Sequence, residues 1–279
     1  MAESSYVKSA DGTVIGYETY KGAGNDPGVV VVGGSMLSGR YYRDLATRLA
    51  DPLTVHVVDR RGRGASGPQG RDYDIGKECD DVVAVMERTG ARNLFGHSYG
   101  GLVVLRTALR HPVDAAAVFE PAVSIDGSFP TWFVPGFKQA VAADRPARAM
   151  ALLVKGLGLS GPLGRLPLPV LTWLGGLMVV TGMGREFREI MPTMPPEVDA
   201  GLGLDSTGEE YAGVTARVLL LAGDRTAGYL RGAAERLATL IPHSQITVMP
   251  GLSHEGPQRA PERVAAELRA FFRPHPPSA

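Results

Sequence analysis

Two valine-rich stretches, Val29 to Val32 and Thr54 to Asp59, constrain this chain most. A strand with one wet face alternates apolar and polar residues, whereas an unbroken β-branched run needs cover on both faces, as in a parallel sheet flanked by helices. Helical spacing follows each run. Tyr41–Leu49 comes after the first, and Asp80–Arg88 after the second, with Val82, Val83, Val85 and Met86 on its apolar side. Further strands are expected at Arg92–Phe95, Ala115–Val123, Val218–Gly223 and Gln245–Pro250. Helices are expected at Gly101–Arg110, Leu230–Leu240 and Glu262–Phe272. Ahead of them, Tyr6–Tyr20 reads as a hairpin turning at Asp11-Gly12. The alternation predicts an α/β class chain with a doubly wound, mostly parallel sheet. It breaks once, from Gly127 to Leu204.

Composition removes several classes. The 279 residues carry 29 Lys+Arg against 29 Asp+Glu, so the basic excess typical of a nucleic-acid binder is missing. Cys79 is the one cysteine, which rules out a disulfide framework or a Cys-based zinc site and suits a helix residue turned to the core. The opening residues, MAESSYVKSADG, lack the basic and apolar regions of a secretory signal, and a cytoplasmic location is expected. Glycine and proline are abundant, 36 and 21 residues, and 12 and 9 of them fall within 127–204.

The sharpest motif is Gly96-His97-Ser98-Tyr99-Gly100, with a short strand before it and the Leu/Val-rich segment Leu102–Leu105 after it. A strand-to-helix turn this tight forces Ser98 into strained backbone geometry and lifts its hydroxyl above the carboxyl edge of the sheet. It also places the Tyr99 N–H at a helix N-terminus, where a developing oxyanion is stabilised. Ser98 is therefore the candidate nucleophile.

Four segments in order make the chain resemble the α/β-hydrolase superfamily over nearly its whole length. They are Gly33-Gly34-Ser35 after the first buried strand, Asp59–Gly67 as a D-x-R-G-x-G-x-S turn, the elbow at Ser98, and Gly251-Leu252-Ser253-His254 after the last strand. The resemblance implies that His254 is the base and that Ser35 or Met36 supplies a second oxyanion-hole N–H beside Tyr99. Gly33-Gly34 stands where many members have His-Gly, so one loop-bracing side chain is absent. The other histidines fit the base role less well. His97 is the variable elbow position, His56 lies in a strand, His111 and His243 stand near helix ends, and His275 is in the tail. Arg60, Arg61 and Arg63 are read as exposed residues bracing the turn beside Asp59, with an anion clamp as the alternative.

The acid is left open. The family's usual slot after the penultimate strand is occupied by Thr226, which carries no charge. Glu120, at the end of the strand after the elbow helix, is preferred. Asp224 and a Ser-His dyad are the alternatives, and only triad geometry separates them.

The segment 127–204 occupies the place where the resemblance implies a lid, dividing the chain into a core (1–126 and 205–279) and a cap of short, broken, mobile apolar helices. Leu166–Gly184 is 19 residues without formal charge, but Pro167, Pro169, Gly175 and Gly176 interrupt it, so stable membrane insertion is not expected. Gly34, Met36, His97, Trp132, Phe133, Phe137, Trp173 and Met178 are the expected pocket residues. They suggest a bulky, mostly apolar small-molecule substrate for a monomer or homodimer.

The reading is a serine hydrolase acting on an ester, lactone or thioester through an acyl-enzyme, with no metal or organic cofactor required. A cyclase, dehydratase or acyl-transfer enzyme of secondary metabolism, a carbon–carbon bond hydrolase, and a non-catalytic ligand receptor are the alternatives on the same scaffold.

Overall fold

In the computed structural model, which describes residues 2–24, 28–159, 161–179 and 182–273, eight strands form one sheet. They are β1 (Glu3–Lys8), β2 (Val14–Tyr20), β3 (Val29–Val32), β4 (Val55–Val58), β5 (Asn93–His97), β6 (Ala115–Phe119), β7 (Arg217–Gly223) and β8 (Ser244–Met249). Their spatial order is β1-β2-β4-β3-β5-β6-β7-β8. The β1–β2 and β2–β4 pairings are antiparallel and the other five are parallel. The chain lays β4 on one side of β3 and then returns to place β5 on the other. Such a reversal opens a crevice above the carboxyl ends of the strands.

Eleven α-helices lie among the described residues. In chain order they are α1 (Arg43–Leu49), α2 (Ile75–Thr89), α3 (Tyr99–Arg110), α4 (Val134–Ala142), α5 (Pro146–Leu157), α6 (Leu168–Val179), α7 (Gly182–Ile190), α8 (Met194–Leu202), α9 (Gly228–Leu240), α10 (Gly256–Arg259) and α11 (Pro261–Phe272). The period-2 alternation of each central strand splits the interior into two cores. Val30, Val32, Leu94 and Val118 face α2, α3 and α9, among them Val82, Leu102 and Leu237. Val29, Val31, Phe95 and Ala117 face α1 and α11, among them Leu45 and Leu268. The valine runs are apolar throughout because each face meets its own helical layer. Cys79 is buried on α2.

Two helices begin earlier than their periodicity suggested. The Asp74 side chain accepts the Gly76 N–H at 2.5 Å and starts α2 at Ile75, so the polar first turn is helical too. α3 starts at Tyr99, directly after the elbow serine. The four-residue α10 lacked a legible period.

Between β6 and β7 the chain leaves the sheet and forms α4 to α8. Phe133, Phe137, Leu152, Leu153, Met191 and Met194 pack there as a third apolar cluster. No described helix is long and apolar enough to cross a membrane. The side chain of Met178, residues 180 and 181, and the tail with His275 lie outside the described residues.

Candidate active site

Ser98 joins β5 to α3 with φ 55° and ψ −121°, a backbone conformation that costs a non-glycine residue on the order of 1–3 kcal/mol. Its surroundings hold it there. The Ser98 N–H donates to the Phe119 carbonyl at 3.0 Å, and the Ser98 carbonyl accepts the N–H groups of Gly101 at 2.9 Å and Ala122 at 3.0 Å. A Cβ on Gly96 would lie 2.4 Å from the Gly100 carbonyl oxygen, and one on Gly100 would lie 2.2 Å from that of Val32. The two flanking glycines are thus what lets the elbow close. As the first residue of α3, Tyr99 has a backbone N–H without an acceptor in its own helix.

Glu120 follows β6 and is fully buried. Its Oε1 accepts the Gly223 N–H at 2.7 Å. Its Oε2 accepts the Thr226 hydroxyl at 2.7 Å and stands 2.6 Å from Nδ1 of His254. The residue in the usual acid slot, Thr226, therefore holds the carboxylate that comes from the neighbouring strand. Asp224 is exposed, and its carboxylate accepts the Gly251 N–H at 2.6 Å. It acts as a clip between the loops after β7 and β8. Nδ1 of His254 is bound to a carboxylate, and Ser98 and His254 border the same cavity.

His97 shows how the missing loop brace is replaced. Its ring lies 4.7 Å from that of His254, centroid to centroid, and its Nε2 lies 2.9 Å from the His254 carbonyl oxygen. A carbonyl only accepts, so Nε2 carries the proton and Nδ1 accepts from the Tyr42 hydroxyl at 2.7 Å. The Tyr42 oxygen in turn accepts the Gly34 N–H at 2.8 Å. Burial pushes the His97 pKa well below its ordinary value, and the nearby His254 adds to the effect, so the ring is neutral as this chain of bonds requires. A Cβ on Gly33 would meet the Tyr42 ring at 2.6 Å. The Gly-Gly pair makes room for a tyrosine that ties the loop after β3 to the histidine loop. No local signal in the sequence points to Tyr42.

Two cavities meet at Ser98 and His254. One, of about 70 Å³, runs between Tyr99, Ser124, Phe133 and Leu202. The other, of about 520 Å³, opens past Gly34, Met36, Met150, Phe187 and Gln258. Ser35 borders both, and Met36 takes a left-handed φ of 63°. Of the expected pocket residues, Gly34, Met36 and His97 border the larger cavity and Phe133 the smaller.

Three others are corrected. Phe137 is fully buried in the apolar cluster of the insert, where it packs on Phe133. Trp132 and Trp173 are solvent-facing, 61% and 65% exposed. Aromatic content identified an apolar segment but not the side each ring would take. Beside aromatic groups such as Phe129, Phe133 and Phe187, the cavity walls use aliphatic and thioether side chains such as Leu153, Leu157 and Met194.

The arginine cluster is also corrected. Arg60, Arg61 and Arg63 are all buried. Arg61 pairs with Asp81 at 2.7 Å and Asp11 at 2.9 Å. Arg60 pairs with Glu78 at 2.5 Å and Glu197 at 3.1 Å, and Arg63 pairs with Glu197. Asp59 accepts the backbone N–H groups of Gly39 at 2.7 Å and Ala65 at 2.8 Å. Reading runs of charge as solvated failed here because the balancing carboxylates lie far along the chain.

A sequence model of the Alpha/beta hydrolase family matches residues 29–267. The chain is 27% identical over 282 aligned residues, 96% of its length and 98% of the relative's, to a non-heme haloperoxidase of Rhodococcus erythropolis. Its fold matches that of an alpha/beta hydrolase from Sphaerobacter thermophilus DSM 20745 with a TM-score of 0.79 and 29% identity, covering 96% of this chain and 100% of that one. An esterase from Rhodococcus sp. ECU1013 matches with a TM-score of 0.71 and 25% identity, covering 96% and 98%.

Proposed function

The chain belongs to the alpha/beta hydrolase family, and we propose that it is a serine hydrolase that cleaves an ester, lactone or thioester through Ser98, His254 and Glu120. The observation that carries this reading is the 2.6 Å contact between Glu120 and Nδ1 of His254, beside the cavity that Ser98 also borders. Asp224 is occupied elsewhere. In the proposed cycle, Nε2 of His254 takes the Ser98 proton as Oγ attacks the carbonyl carbon. Glu120 holds the ring in the required tautomer and balances the imidazolium charge. The N–H groups of Tyr99 and Ser35 receive the oxyanion. The imidazolium then protonates the leaving group, and a water activated by the same nitrogen releases the acid and restores Ser98.

Residues 127–204 serve as the lid in this reading. Their aliphatic side chains and the larger cavity suit a bulky, mostly apolar substrate recognised by shape. The esterase among the similar structures fits a reaction of this kind.

A fluorophosphonate probe tests the nucleophile. Mass spectrometry is expected to find one covalent adduct on Ser98, and a folded protein that takes up no probe overturns the reading. A p-nitrophenyl ester series tests the pocket. Longer acyl groups are expected to outperform acetate, and a preference for acetate contradicts the bulky substrate.

A further inference from the structure

The two proposed oxyanion donors have side chains that lead into one buried ion cluster. On one side, the Tyr99 hydroxyl lies 2.8 Å from that of Tyr73, which donates to Glu78 at 2.7 Å, and the Arg60 guanidinium sits 4.7 Å above the Tyr99 ring. On the other side, the Ser35 hydroxyl donates to Oε2 of Glu197 at 2.6 Å. The ends meet at the arginines. Arg60 bonds both oxygens of Glu78 at 2.5 Å and reaches Oε1 of Glu197 at 3.1 Å, and Arg63 pairs with that same oxygen. Arg63 also approaches the Gly34 carbonyl at 3.4 Å.

Arg60, Arg63, Glu78 and Glu197 are all buried, two cations against two anions. The balance is tight, since Nη1 of Arg60 and Nε of Arg63 have no hydrogen-bond partner among the described residues. Three of the four groups come from the sheet domain. Glu197 alone comes from the insert, in the first turn of α8. Without it, two buried guanidiniums share one carboxylate, and Ser35 loses its acceptor. An uncompensated buried charge is among the most unfavourable defects a protein interior can hold.

We propose that Glu197 is a positioning residue: seating α8 delivers the carboxylate that neutralises Arg60 and Arg63 and fixes Ser35, so the oxyanion hole is complete only when the insert is docked. The insert thereby acts on turnover as well as on substrate fit. This inference rests on the assignment of the Tyr99 and Ser35 N–H groups as the oxyanion hole.

Three variants test it: Glu197→Gln, which keeps the shape and removes the charge, Ser35→Ala, which removes only the hydroxyl and keeps the N–H, and the two combined. Glu197→Gln is expected to lower kcat roughly 10- to 100-fold, a displaced donor costing less than a deleted one, with KM within about 3-fold. Ser35→Ala is expected to lower kcat by a smaller factor, on the order of 10-fold, and the double variant to be no worse than Glu197→Gln alone, as for two groups acting through one bond. Affinity for an alkyl boronic acid, whose tetrahedral adduct carries the oxyanion, should fall with kcat. An unchanged kcat in both single variants, a change confined to KM, or multiplicative losses in the double variant would each overturn the proposal. If Glu197→Gln does not fold, Ser35→Ala with the boronate measurement decides alone. Fluorophosphonate labelling separates the two levels. A wild-type protein that does not label refutes the serine-hydrolase reading, whereas wild type and both single variants labelling at equal rates refute only the role of Glu197.

Discussion

Ser98, Glu120 and His254 leave the ends of β5, β6 and β8, each within a few residues of a strand terminus. Across the cavity, Phe133, Leu153, Met194 and Glu197 come from the helical insert, spread over more than sixty residues of chain. The first group is aimed by backbone hydrogen bonds of the parallel sheet, so each side chain has little choice of direction. The second is aimed by helix-on-helix packing, where a small rotation exchanges a cavity-facing residue for a solvent-facing one. Trp173, on α6, is exposed for this reason, while Gly175 of the same helix borders the larger cavity.

The largest expected effect tests the sheet side. Glu120→Ala should lower kcat by roughly 10³- to 10⁴-fold, whereas Asp224→Ala should stay within about 3-fold, measured with one activated ester. The reverse ranking would break the assignment of the acid.

On the insert side, Phe133→Ala should destabilise the protein by about 3–5 kcal/mol in urea unfolding. Trp173→Ser should change stability by less than about 0.5 kcal/mol and leave kcat/KM intact. Equal effects would mean that the two rings do not differ as their burial indicates.

Tyr42 is buried in the sheet core beside α1. Tyr42→Phe strands the buried Gly34 N–H and leaves His97 Nδ1 only the Gln258 amide at 3.5 Å, and the loss of stability should be about 1–3 kcal/mol by the same measurement. No loss would show that the loop after β3 needs no brace.

A pH dependence is also carried by the sheet. Burial lowers the His56 pKa from 6.5 to about 4. The unfolded chain therefore takes up this proton first, so the contribution is intact above about pH 6.5 and shrinks as the pH falls toward 4. The loss should be on the order of 2–3 kcal/mol at pH 4.5. Urea titrations of wild type and His56→Asn between pH 7 and 4.5 check it, the variant being expected to show a shallower slope over that range.

Much of the sheet was legible in advance because its signals are contiguous: valine runs, turn glycines, and a serine between a strand and a helix. Gly156 and Gly175 of the insert were not, because their reasons are tertiary. A Cβ on Gly156 would lie 2.1 Å from the Phe133 ring, and one on Gly175 would meet the Ala147 carbonyl oxygen at 3.0 Å. They allow α5 to receive an aromatic ring and α6 to approach α5. These two reflect close packing, whereas Gly127, Gly158 and Gly161 take a left-handed φ. Glu197 was invisible for a similar reason. Nothing sets it apart from its neighbours Glu189 and Asp199, and its partners lie 137 and 134 positions earlier, at Arg60 and Arg63.

By itself the sequence determined the α/β layering and the position of Ser98 at the carboxyl edge of the sheet, since period-2 burial and a glycine-flanked turn are properties of neighbouring residues. Only the tertiary structure decided which carboxylate meets His254, how the Tyr99 and Ser35 side chains share one ion cluster, and which apolar side chains face the cavity. Those pairings join residues a hundred or more positions apart. They depend on strand order, loop closure and the docking of α8, and no local pattern records where such distant groups will meet.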